Sequence, residues 1–182
     1  MSFIARLILR LAGWRVCGEM PEGLKKSVII MAPHTSNLDF VIGWFGILGL
    51  KIKPSLLIKK EAFYFPAGPI LKAMGGIPLD RSKSKNDIKY VTNLFEKKEV
   101  FHLVITPEGT RKLNRRWKKG FYYVARKAGV PIVLGFMDYG NKTGGIGHII
   151  YPTGNFEEDF KKIEDFYRGK TARHPEQFNL SS

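Results

Sequence analysis

Cysteine is nearly missing from this chain of 182 residues: Cys17 stands alone, so no internal disulfide can form and the fold must hold by packing and hydrogen bonding. That usage agrees with a reducing compartment, and Cys17 reads as a small apolar filler. Acidic residues are scarce as well. Sixteen Asp and Glu face thirty Lys and Arg, a formal net charge of +14 at pH 7, which favours phosphate-bearing or otherwise anionic partners. No apolar run reaches the roughly 18 residues of a spanning helix; the longest, residues 40–50, is too short. Arg6, Arg10 and Arg15 interrupt the N-terminal apolar stretch, which has no small-residue cleavage site after it, and this argues against a signal peptide. A Gly-x-Ser-x-Gly turn is lacking, which disfavours a serine hydrolase. His34, His102, His148 and His174 are scattered without metal-ligand spacing, so no metal site is expected. The Gly-rich stretch 138–147 lacks the Lys-Ser/Thr ending of a phosphate loop and is given no nucleotide role.

What is present suits one globular domain, with 44% hydrophobic residues. An amphipathic helix is expected within residues 1–18, where Phe3, Ile4, Leu7, Ile8, Leu11 and Trp14 share a broad face. Periodicity leaves two fates open, a membrane interface or packing on the domain. Short apolar runs at 28–32, 55–58, 100–106 and 130–136 read as strands, with a shorter one within 75–81 whose Pro78 suits a sheet edge. Helical spacing appears over 38–49, 85–98, 121–128 and from Asn155 to about Gly169, and residues 61–74 read as one or two short helices. Residues 138–147 are expected to form a hairpin turn into a strand at 149–151, and the polar tail 170–182 is expected to be mobile. Alternating strands and helices predict a single α/β domain with a central, mostly parallel or mixed sheet flanked by helices. Gly43, Gly46 and Gly49 within one helix imply a close approach by a neighbouring backbone or by an acyl chain.

The chemistry concentrates at His34-Thr-Ser-Asn-Leu-Asp39, directly after the apolar run 28–32. On a continuous helix, residues five apart diverge and stand roughly 7 Å apart along the axis. The segment must therefore bend, with His34 in a strand-to-helix loop, Ser36 as N-cap and Asp39 in the first turn. An imidazole oriented by a carboxylate is a general-base arrangement; the same residues fit a plain capping box, and spacing leaves the two readings even. Further on, Pro107-Glu108-Gly109-Thr110-Arg111 follows a strand with a carboxylate, free amides, a hydroxyl and an arginine, and Arg115, Arg116, Lys118 and Lys119 surround Trp117.

These blocks together resemble the glycerolipid acyltransferases of the 1-acylglycerol-3-phosphate acyltransferase superfamily. His34 to Asp39 matches the HxxxxD motif, residues 75–81 resemble the second block, Thr106-Pro-Glu-Gly-Thr-Arg111 the third and Val130-Pro-Ile-Val133 the fourth. The resemblance implies a glycerol-3-phosphate acyltransferase-like fold and transfer of a fatty acyl group from an acyl-CoA or acyl-carrier-protein thioester to a lysophospholipid hydroxyl. His34 would be the general base, oriented by Asp39, with no acyl-enzyme and no cofactor. Arg81, Glu108, Gly109, Thr110 and Arg111 would hold the acceptor's phosphate and glycerol, and Lys60 or a backbone amide near Pro131 is the candidate for the oxyanion or donor contact. The expected partners are a phosphorylated lipid acceptor, an anionic membrane surface and an acidic acyl-carrier protein, with no nucleic acid. The expected place is cytoplasmic, on the inner face of the cell membrane. The competing reading is a noncatalytic basic module that binds nucleic acid or anionic membrane through residues 111–119 and Trp117.

Overall fold

A computed structural model describes residues 2–79 and 87–180. Its strands are β1 (Arg15–Cys17), β2 (Lys26–Ala32), β3 (Pro54–Lys59), β4 (Gly76–Leu79), β5 (Phe101–Ile105), β6 (Ile132–Asp138) and β7 (Thr143–Ile150), in one sheet ordered β1-β7-β6-β2-β5-β3-β4. From β6 to β4 every neighbouring pair is parallel, β6 and β7 are antiparallel, and β1 is parallel to β7. Helices α1 (Ser2–Leu11), α2 (Asn37–Gly49), α3 (Ala67–Ala73), α4 (Asp87–Lys97), α5 (Gly120–Ala128) and α6 (Phe156–Tyr167) complete the chain order. This is the single α/β domain expected from the pattern.

The unbroken apolar run of β2 has a physical reason, since both faces of this central strand are covered. Val28, Ile30 and Ala32 join one core cluster with Phe95 of α4, Phe121 of α5 and Ile163 of α6. Ile29 and Met31 point the other way, toward Leu9 of α1 and Ile42 and Ile47 of α2. At the sheet edge, β4 tolerates Pro78, which has no N–H to give a further strand. Asn155 accepts the Glu158 N–H to start α6, whose first turn carries Glu157, Glu158 and Asp159. Parallel pairing brings the carboxyl ends of β2, β5 and β6 to one edge of the sheet, where ligands bind in such folds.

The structure changes two expectations and sharpens two others. Residues 15–17 leave the N-terminal helix and form β1, a three-residue strand too short to show a period. The stretch 138–147 does form a hairpin, with β6 and β7 antiparallel on either side of residues 139–142, but strand reaches further into it than expected: β7 begins at Thr143, and β1 runs so close that a Cβ on Gly145 (φ +152°) would lie 1.9 Å from the Cys17 carbonyl oxygen. The tail is tied to the body. Tyr139 N–H donates to Thr171 O, His174 N–H to Thr35 Oγ1 and the Trp117 indole to Asn179 O, while Ala172 is buried and Phe178 and Leu180 pack on the core. Lastly, α1 packs on α2 by a narrow stripe, Ala5 and Leu9, with Arg6 Nε donating to Gly49 O at the end of α2; Phe3, Ile4, Leu7, Ile8 and Leu11 stay exposed. Among the described residues no helix is long and apolar enough to cross a membrane.

Candidate active site

Ser36 opens α2 in extended conformation, and its Oγ accepts the Leu38 N–H. Asp39, at the third helical position, turns its carboxylate back over the loop. Its Oδ2 accepts the N–H groups of Thr35 and Ser36, each at 2.7 Å, and its Oδ1 accepts the Ser36 hydroxyl at 3.0 Å. The capping box therefore exists, and the same carboxylate lies 3.7 Å from His34 Nδ1. That separation is an electrostatic contact rather than a hydrogen bond. The two readings of the sequence are thus one arrangement: the cap that bends the loop is what brings imidazole and carboxylate together.

A second carboxylate secures the loop from the other side, with Glu108 Oε1 accepting the His34 N–H at 2.8 Å. Three successive amides, those of residues 34, 35 and 36, thus end on two acidic side chains. Burial lowers the pKa of His34; Asp39 opposes that fall and Arg111 adds to it, and the net direction is down. A neutral imidazole at physiological pH is the form a general base needs. Nδ1 faces Asp39, which leaves Nε2 for a substrate. Burial pushes the Glu108 carboxyl up to about 7, against the His34 N–H bond that favours the anion and with Asp39 repelling it. Its Oε2 is buried without a hydrogen-bond partner among the described residues.

Beside His34 and Asp39 opens a cavity of about 370 Å³, with apolar walls that include Phe40, Gly43, Trp44 and Leu57. That volume lies in the range of small-molecule sites. Gly43 is where a side chain would intrude, since a Cβ there would stand 3.1 Å from Met31 Cε. Gly109 and Lys118 line the cavity too. The Lys118 N–H donates to Pro107 O, and its side chain lies across Gly109 (φ +69°), where a Cβ would come within 2.6 Å of Lys118 Cε. The left-handed backbone favours glycine there, and any side chain would also have to displace the end of Lys118.

The structure does not gather every expected residue. Glu108 is 4% exposed and turns inward to the His34 backbone rather than lining the cavity. Thr110 and Arg111 are exposed on the loop outside the cavity wall, although Arg111 is near enough to act on His34. Lys60 is exposed just beyond β3 and is not part of that wall. Pro131 stands at the opposite end of the sheet, because its carbonyl accepts the Val28 N–H at the start of the parallel β2–β6 pairing; its amide region cannot serve His34. Trp117, expected on a basic surface, is 4% exposed and packs on Tyr167 and Phe160. Arg81 lies outside the described residues.

Two residues emerge that sequence reasoning did not single out for the site. Lys118 sat within a basic run with no sign of which cation faces inward. Tyr139 donates its hydroxyl to Asp39 Oδ1 at 2.5 Å from a hundred positions away. Among the described residues no group of three or more His, Cys, Asp or Glu comes together to hold a metal ion.

Comparison with known proteins bears on this arrangement. A probable 1-acyl-sn-glycerol-3-phosphate acyltransferase of Mycoplasma pneumoniae is 32% identical over 144 residues, which cover 71% of this chain and 52% of that protein. The chain thus spans about half the length of that relative. The crystal structure of PlsC, the 1-acyl-sn-glycerophosphate (LPA) acyltransferase of Thermotoga maritima, has the same fold, with a TM-score of 0.61 at 17% identity over 94% of this chain and 80% of that one. The family model described as Acyltransferase matches residues 15–134. Because that match takes in more than half of the chain, including the His34 loop, α2 and the 106–111 turn, the chain belongs to the acyltransferase family.

Proposed function

We propose that the protein transfers a fatty acyl group from an acyl-CoA or acyl-carrier-protein thioester to the free hydroxyl of a lysophospholipid, with 1-acylglycerol 3-phosphate as the leading acceptor. The observation that carries this reading is a histidine held neutral, 3.7 Å from a fully bonded aspartate, at the wall of an apolar cavity. His34 Nε2 takes the acceptor's hydroxyl proton as the oxygen attacks the thioester carbonyl. Asp39 stabilises the imidazolium that forms. Collapse of the tetrahedral intermediate breaks the C–S bond, and His34 returns the proton to the leaving thiolate. The cavity suits the acyl chain, while Lys118, Arg111 and, by family resemblance, Arg81 suit the acceptor's phosphate through charge-assisted bonds.

The exposed apolar residues of α1, together with the net charge of +14, support a peripheral seat on the anionic inner face of a membrane. Burial of Trp117 counts against the nucleic-acid alternative, which needed that ring as a stacking platform.

The test is a turnover assay with labelled acyl thioesters, both CoA and carrier-protein, against a panel of lyso-acceptors. Wild type is expected to acylate 1-acylglycerol 3-phosphate, and His34→Ala to lose at least about a hundredfold in kcat with an unchanged melting curve. Full activity in that variant would sink the mechanism, and transfer to no acceptor would sink the function.

A further inference from the structure

The shortest bond to Asp39 comes from beyond the family match, which ends at residue 134. Tyr139 directly follows β6 and is fixed from two sides. Its N–H donates to Thr171 O at 2.9 Å, and its ring meets Trp14 edge-on, with centroids 4.9 Å apart and an interplanar angle of 88°. Trp14 is itself buried and held by its N–H to Leu9 O at 2.8 Å. The C-terminal segment and the helix α1 thereby set the place of one phenol, which aims its hydroxyl at Oδ1. Oδ2 is already occupied by the two loop amides and faces His34.

We propose that Tyr139 is a positioning residue for the His34–Asp39 pair: its hydroxyl locks the carboxylate's orientation and draws charge toward Oδ1, which sets how strongly Asp39 attracts a proton to His34. The division of labour follows from the two oxygens. Backbone amides fix Oδ2 near the imidazole, while Tyr139 and the Ser36 hydroxyl share the charge at Oδ1. The phenol remains a donor across the working range, since burial and the bond to Asp39 hold its pKa well above the ordinary value. Among the described residues, the charged groups around the imidazole are Asp39 of α2 and Glu108 and Arg111 of the loop after β5, and those around the phenol are Asp39 and Arg173. Replacing tyrosine by phenylalanine leaves all of these in place and keeps the ring against Trp14.

Loss of the donor concentrates charge on the carboxylate and strengthens its pull on the imidazolium, so the pKa of His34 rises. In Tyr139→Phe the NMR titration midpoint of the His34 ring is expected to move up by about half a pH unit or more. The acid limb of the kcat/KM profile should follow, and kcat at its optimum should fall about tenfold with little change in KM. Incorporation of 3-fluorotyrosine at position 139, a stronger donor of nearly the same size, should move the midpoint down. A purely structural tyrosine would lower the melting temperature and leave His34 where it was. An unchanged His34 midpoint in a folded Tyr139→Phe protein overturns the proposal, and if that variant does not fold, an unchanged midpoint in the fluorotyrosine protein does so. The kinetic readings rest on the acyltransferase function; absence of transfer by wild type would refute that function, while the NMR titrations would still decide the role of Tyr139.

Discussion

Glu108→Gln tests the electrostatics of the site with the least disturbance to its geometry. Glu108 is 4% exposed and its Oε1 accepts the His34 N–H, a bond that an amide oxygen can keep. Its carboxyl titrates at about 7 in the folded protein against 4.5 for an ordinary side chain. The folded state thus binds this proton more tightly than the unfolded state. A raised carboxyl stabilises the fold fully below the unfolded value, and that contribution disappears as pH rises through the folded value. Between pH 4.5 and somewhat above 7, wild type should therefore lose about 3 kcal/mol relative to Glu108→Gln, which has no proton to release. For a domain of this length that corresponds to a melting difference of about 6–12 °C. Thermal or urea denaturation of both proteins from pH 4.5 to 8.5 measures it. His34 and His102, both titrating below their ordinary value through burial, are present in both proteins and largely cancel in the difference. A wild-type-minus-variant difference that is flat across this window would refute the assignment of Glu108 as a buried, proton-binding support.

Gly43→Leu places a side chain in the cavity, from a Cβ that starts 3.1 Å from Met31 Cε. In competition between long and medium acyl thioesters, kcat/KM for the long chain should fall at least about tenfold relative to the medium one; an unaltered ratio would show that the acyl chain lies elsewhere. Trp117→Ala removes a buried ring and its bond to Asn179 O, so denaturation should report a loss of about 3–5 kcal/mol. Weaker, salt-dependent binding to DNA or RNA at unchanged stability would restore the basic-surface reading of residues 111–119.

Local physics decided a good deal at the level of sequence. The run 28–32 declared a buried strand because both its faces meet helices, and Ser36 and Asp39 declared a helix start because the amides there need acceptors within three residues. That the loop also places His34 beside Asp39 followed from the bend those residues impose. Direction was not legible. A glutamate in a polar turn after a strand reads the same whether it faces a substrate or, like Glu108, the backbone of another loop. Trp117 among cations reads as surface until Phe160, Tyr167 and Phe178 close over it. The tail looked mobile from its composition, yet its backbone serves Tyr139, Thr35 and Trp117.

The sequence by itself determined the alternation of strands and helices, the family motifs and the bend that joins imidazole to carboxylate, because each depends on residues within a turn or two of one another. Only the tertiary structure decided that Asp39 takes its last donor from Tyr139, a hundred residues on, that Pro131 stands at the far end of the sheet, and that one lysine among several, Lys118, lines the cavity. Strand order and parallel register bring these groups together or part them, and long-range pairing leaves no periodic mark in the chain.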